Sequence, residues 1–271
     1  MFFFKLWADL SLKWKLLIFG CLGVVVMSIS ALWLTDSSGK AIGKLVETTM
    51  LGEAESQAKL ISEGVLNLVN TQDKLLRIKL HGDLAAARNV LDSSGGVNFS
   101  SENIKWNAVN QFTQQSQEIS LPKLTVGDVW LGQNFSSSQA TPVVDKVKEM
   151  LGGTCTIFQR MNTRGDMLRV ATNVIGEDGK RAIGTYIPAV NQDNTPNPVV
   201  SAVMRGETFV GRAQVVGRWY VAAYEPIKDS TGSITGMLYV GLPIDMVKEV
   251  TEAINSIKVG KTGYVFVLGG A

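Results

Sequence analysis

The sequence predicts an α+β chain in which a transmembrane helix continues into a long helix and an antiparallel five-stranded sheet follows. Three observations carry this. The run LLIFGCLGVVVMSISALWL, Leu16–Leu34, holds no charge. The stretch from Ala41 to about Leu91 has no proline and repeats apolar residues at spacings of three and four. From Thr154 onward, short β-rich runs alternate with clusters of turn residues.

At a rise of ~1.5 Å per residue, Leu16–Leu34 would span ~28 Å, close to the hydrocarbon thickness of a bilayer. Lys5, Lys13 and Lys15 precede the run and the first charge after it is Asp36. The positive-inside rule therefore places residues 1–15 in the cytoplasm as a short tail and the rest outside. Trp7, Trp14 and Trp33 suit the two membrane interfaces. A cleaved signal peptide is the rival reading, but the run is longer than an h-region and LWLTDSSG offers no small-x-small site.

The 271 residues carry a formal net charge of +2. The three Lys and one Asp of Met1–Lys15 account for all of it, so the outer part is neutral and carries no nucleic-acid footprint. Cys21 and Cys155 are the two cysteines and His81 the one histidine. A disulfide framework, a structural zinc site and a c-type haem are excluded, and no cofactor or metal is expected.

Within residues 37–92, Ala54, Ala58, Ile61, Val65, Leu68, Gln72, Leu75 and Lys79 keep a heptad-like spacing. This predicts one long extracytoplasmic helix of roughly 50 residues, with two helices broken near Gly52 or Gly64 as the alternative. Ser93-Ser94-Gly95-Gly96 ends it. A transition region over 104–133 contains the strand-like pieces IKWNAVNQF and LTVGDVWLG, and a helix is predicted around Val143–Met150. Strands are predicted at Thr154–Met161, Asp166–Asn173, Thr208–Val216, Arg218–Pro226 and Ser233–Leu242. A crossover over 174–207 holds a Gly-Glu-Asp-Gly turn, the loop NQDNTPNP and a short helix at Val199–Arg205.

Two strands, a crossover with a helix, then three strands is the order of a PAS-like domain. GGTCTIFQRMNTRGDMLRVATNV, AIGTYIPAVN, PNPVVSAVMRGETFVGRA, WYVAAYEPI and GMLYVG resemble the Cache 3/Cache 2 fusion sensor region of bacterial methyl-accepting chemotaxis proteins. WLGQNFSSSQATPVVDKVKEMLGG before them and IKVGKTGYVFVLGG after them fit the same pattern. The resemblance implies a periplasmic sensor domain over 97–245, a connecting helix and the start of a second Cache-like unit over 246–271, and an anchor in the inner membrane. It implies a chemoreceptor that binds a small organic ligand, forms a homodimer through its long helices, and signals across the membrane. A second membrane helix and a signalling domain that meets cytoplasmic chemotaxis proteins would follow Ala271, so the sequence reads as a truncated receptor. A histidine kinase or diguanylate cyclase output, or an anchored binding module without output, would share the same sensor.

A PAS-like sheet can hold a ligand under its crossover. Strand alternation places Thr208, Val210, Arg212 and Gln214 on one face. Arg212 is a candidate for a ligand carboxylate, because a guanidinium fork matches that group bidentately. The alternative for it is an edge arginine paired to Glu225. Arg160 and Arg169 share the same chemistry, and Tyr186, Trp219 and Tyr220 are candidate pocket walls or plain core. Cys155 lies in a strand without a nearby histidine and reads as a buried hydrophobe. Gly260-Lys261-Thr262 is no phosphate loop, since Asn255 stands where its first glycine belongs. No catalytic constellation can be assembled, and the sequence predicts a binding protein and no enzyme.

Overall fold

The computed structural model describes residues 12–244, 258–259 and 263–264. Helix α1 runs over Leu12–Ser93 without a break at Gly52 or Gly64. It begins in one compact unit, Met1–Val65, and ends in a second, Leu66–Ala271. Each is described separately.

In the first unit the described residues are helical, and the described side chains from Cys21 to Leu60 are exposed. Lys40 pairs with Asp36 one turn earlier, and Thr48 and Thr49 fold their hydroxyls back onto the carbonyls of Lys44 and Leu45. Among the described residues no helix is long and apolar enough to cross a membrane. The side chains of 12–20, 31 and 34 lie outside the described residues, and the remaining part of the apolar run is shorter than the ~20 residues a bilayer needs. The expected single span is therefore not supported there. Trp7 also lies outside them.

In the second unit α1 turns Leu80, Leu84, Ala87 and Leu91 into the core, while Leu75 stays exposed. The seam expected through Leu75 and Lys79 drifts off because a 3.5-residue repeat rotates around a helix of 3.6 residues per turn. Gly96 donates its N–H to the Leu91 carbonyl and closes the helix in the manner the Ser-Ser-Gly-Gly run predicts.

One sheet follows, with nine strands where five were expected. Its strands are β1 (Val97–Asn110), β2 (Ser116–Val126), β3 (Val129–Trp130), β4 (Thr154–Arg160), β5 (Met167–Thr172), β6 (Thr185–Ile187), β7 (Phe209–Val215), β8 (Arg218–Lys228) and β9 (Ile234–Pro243). Their spatial order is β3-β2-β1-β6-β5-β4-β9-β8-β7. The sheet is mixed, because β1 runs parallel to β6 through Val109↔Thr185 and Asn110↔Tyr186. Helices α2 (Val144–Leu151) and α3 (Pro198–Met204) complete the unit. Asn197 caps α3 by accepting the N–H groups of Val199 and Val200, and Pro198 opens its first turn.

Alternation along the strands builds two cores, one on each face. Ile157, Leu168, Val170, Ala223, Leu238 and Val240 pack with the α1 side chains. Phe158, Met167, Tyr220, Tyr224, Met237 and Tyr239 pack with Val199, Val200 and Val203 of α3. Arg88 of α1 ties the first face down through Glu225 at 2.6 Å and the Pro226 carbonyl. A Cβ at Gly236 would collide with the Phe158 carbonyl oxygen, so the close approach of β4 and β9 requires glycine there. Two short strands, β10 (Lys258–Val259) and β11 (Gly263–Tyr264), pair antiparallel. The rest of the expected connecting helix and second Cache-like unit lies outside the described residues.

Candidate ligand-binding site

The chain from β1 to β6 brings polar groups to the α3 side of the sheet. Gln111 follows β1, and its N–H donates to the Tyr186 carbonyl, which extends the β1–β6 pairing by one residue. Thr185 opens β6 and donates its hydroxyl to the Ala182 carbonyl at 2.8 Å. Between them lies Arg169 of β5, the largest fully buried side chain, at 0% exposure. One terminal nitrogen donates to the Thr185 hydroxyl and the other to Gln111 Oε1 at 3.4 Å. The guanidinium stacks over the Phe158 ring, 4.9 Å from its centroid.

Arg169 has no carboxylate partner among the described residues, and its Nε has no hydrogen-bond partner. Burial pulls its pKa down, opposed by the nearby phenols of Tyr224, Tyr239 and Tyr220. The Tyr224 hydroxyl is likewise buried without a partner, and burial pushes that phenol up. Tyr224 packs 4.8 Å from Tyr239, whose hydroxyl meets Thr154 at 2.9 Å. A buried cation that leaves one donor unused is costly unless something anionic completes it.

Thr185 and Gln111 are also part of the lining of an open cavity of about 1090 Å³. Phe135, Ile183, Gln214 and Val216 form walls, and the exposed Glu177, Asp178 and Asp193 stand at its edge. Val216 sits at φ 46°, followed by Gly217 at φ 80°, in the tight turn between β7 and β8. Arg169 therefore lies one hydrogen bond beneath the cavity.

Arg181, also in the lining, is the contrasting case. Its terminal nitrogens meet both oxygens of Asp145 at 2.9 and 2.7 Å and the carbonyls of Thr172 and Gln139, and its Nε meets the Ser136 carbonyl. Burial works to raise the Asp145 carboxyl, but Arg181 and the Thr141 N–H outweigh it and hold it below the usual carboxylate range. Arg181 is a completed structural clamp, while Arg169 is not completed.

Of the residues singled out in the sequence, Arg169 and Tyr220 come together on the α3 face. Tyr186 is buried in the core on the opposite face, although its carbonyl receives Gln111. Arg212 is exposed on the face that carries Val210, opposite Arg169, and stacks on the half-exposed Trp219 at 5.3 Å. Glu225 is bonded to Arg88, and so Arg212 does not pair with it. Arg160 clasps the turn after β4 through the carbonyls of Asn162 and Thr163 and belongs to a different groove. Gln111 and Thr185, the partners of Arg169, were not legible in the sequence, since neither is unusual in its local sequence. Cys155 is buried and burial pushes its thiol up, and His81 is exposed on α1. Among the described residues no group of three or more His, Cys, Asp or Glu could hold a metal ion.

A sheet with a helix-bearing crossover, an open cavity and a buried unpaired cation beside it defines a small-molecule binding module. The family model of the Cache 3/Cache 2 fusion domain matches residues 44–271, and the chain belongs to that family. Domains of this family are extracytoplasmic sensors of small molecules that bind ligands and are not catalytic. No curated protein matches the chain.

Proposed function

We propose that the chain is the ligand-sensing region of a membrane-anchored chemoreceptor and that its ligand bears a carboxylate. The single observation that carries the ligand class is Arg169, fully buried, without a carboxylate partner among the described residues, and bonded to two residues that line the cavity. A carboxylate entering over Thr185 and Gln111 supplies the missing countercharge, and a charge-assisted bond of this kind is worth about 1.5 to 3 kcal/mol. Tyr220 and Tyr224 pack in the core on the same face of the sheet, near Arg169, and no step of catalysis is involved.

The reading of an inner-membrane anchor with a periplasmic sensor is supported by the uncharged run Leu16–Leu34 and its lysine-rich inner flank. Exposed Leu22, Val24, Val25, Val26, Met27 and Ile29 support it. Exposed Ile42, Leu45, Met50 and Leu51 support a homodimer through α1. Chemotaxis is the preferred output, with a histidine kinase or diguanylate cyclase served equally well by the same sensor. A thermal-shift screen of small carboxylates against the full chain tests the ligand class. At least one carboxylate should raise the melting temperature where its uncharged amide does not. Equal responses to acid and amide, or none to any acid, refute it.

A further inference from the structure

The end of β4, the start of β9 and the paired strands β1 and β2 enclose a second, open groove of about 480 Å³. It shares no lining residue with the cavity described above. Its volume falls within the roughly 300 to 1,000 Å³ of small-molecule pockets. Phe99, Pro122, Met161 and Ile234 give it apolar walls, and Phe99 and Pro122 are exposed. Gln159 of β4 also lines it and is 3% exposed. Gln159 Nε2 donates to the Pro122 carbonyl at 2.9 Å, a bond between two lining residues that holds the amide at the groove wall. That bond fixes which end of the amide is the donor, and Oε1 is left buried without a hydrogen-bond partner. A buried acceptor is costly until a donor reaches it, so Gln159 favours an occupant with an N–H or O–H.

The same lining disfavours an ionic occupant. Arg160 is the charged residue among it, and its three nitrogens donate to the carbonyls of Asn162, Ile234 and Thr163. No two of them stay free as a fork for a carboxylate. No acid stands among the described lining residues to draw in a cation. What remains is one unmatched acceptor beside apolar walls, with the Phe99 ring open for stacking. We infer that this groove is a second binding site, for a small uncharged aromatic molecule with a single hydroxyl or N–H donor. The donor goes to Gln159 Oε1 and the ring lies against Phe99. The inference is independent of the carboxylate reading, because it uses neither Arg169 nor the cavity.

The test is calorimetry on the full chain in detergent micelles, with the titration into detergent alone subtracted. The probes are two pairs that differ by the donor, phenol with anisole and benzyl alcohol with benzyl methyl ether. In each pair the hydroxyl compound should bind about 5 to 10-fold tighter, the worth of one buried hydrogen bond. Gln159→Met keeps the length of the side chain and removes the acceptor, so it should bring both ratios to about 1. Phe99→Ala, at an exposed position that folding tolerates, should weaken all four probes about 2 to 10-fold and preserve the ratios. Arg169→Met should change none of these affinities. Equal binding within each pair, ratios that survive in Gln159→Met, affinities untouched by Phe99→Ala, or no binding of any probe overturns the inference. Each of these outcomes leaves the carboxylate reading standing, since that reading is tested at Arg169.

Discussion

Replacing Arg169 with methionine should not destabilise the ligand-free protein, although Arg169 is its largest fully buried side chain. Desolvating an unpaired guanidinium costs several kcal/mol. Against this, the bond to Thr185 and the bond to Gln111, stretched to 3.4 Å, return about 2 to 3 kcal/mol together. Stacking on Phe158 at 4.9 Å returns about 1 kcal/mol more. The balance leaves a net cost of about 1 to 2 kcal/mol. Methionine keeps most of the stem volume and packs against Phe158, Tyr224 and Tyr239 without a charge to hydrate. Thermal or urea melts of Arg169→Met without ligand should therefore show stability unchanged or raised by about 1 to 2 kcal/mol, a gain of a few degrees. A loss of about 3 kcal/mol or more would refute the reasoning, because it would make Arg169 a structural cation like Arg181.

Asp145→Asn should have the opposite outcome, costing about 3 to 5 kcal/mol in a chemical melt because it leaves the buried Arg181 unpaired. The Asp145 carboxyl is held below its ordinary value in the folded protein, so the stability it contributes is present above the unfolded pKa near 4 and is lost as pH falls through the lower folded value. Melts between about pH 5 and 2 should show this loss in the parent and a flatter profile in Asp145→Asn. Val216→Asn should stabilise by about 1 kcal/mol, read as a rise in melting temperature, because a β-branched residue at φ 46° is strained and asparagine is not. Arg212→Ala should cost at most about 1 kcal/mol and leave ligand affinity unchanged, since its contact is an exposed stack on Trp219.

The strands β4, β5, β7, β8 and β9 were legible because each is a β-rich run, and turn residues such as Asn162–Gly165 and Asp229–Gly232 separate them. The other four were not. β1, with the polar VNFSSENIKWNAVN, buries only Trp106 and Ala108, so its periodicity is weak. β6 has three residues and joins the sheet through long-range pairing. The same difference governs the site. Alternation assigns residues to faces but not which face α1 covers, so Arg212 and Arg169 look equivalent in the sequence. The decisive facts are distant ones. Glu225 is occupied by Arg88, Arg181 by Asp145, and Gln111 reaches Arg169 across 58 positions.

The most direct test of the central claim is a calorimetric titration of the best-binding carboxylate into the parent chain and into Arg169→Met, once melting shows the variant folded. Loss of the countercharge should weaken binding about 10 to 150-fold, the equivalent of 1.5 to 3 kcal/mol. An affinity in Arg169→Met within about twofold of the parent would place the ligand elsewhere and contradict the account.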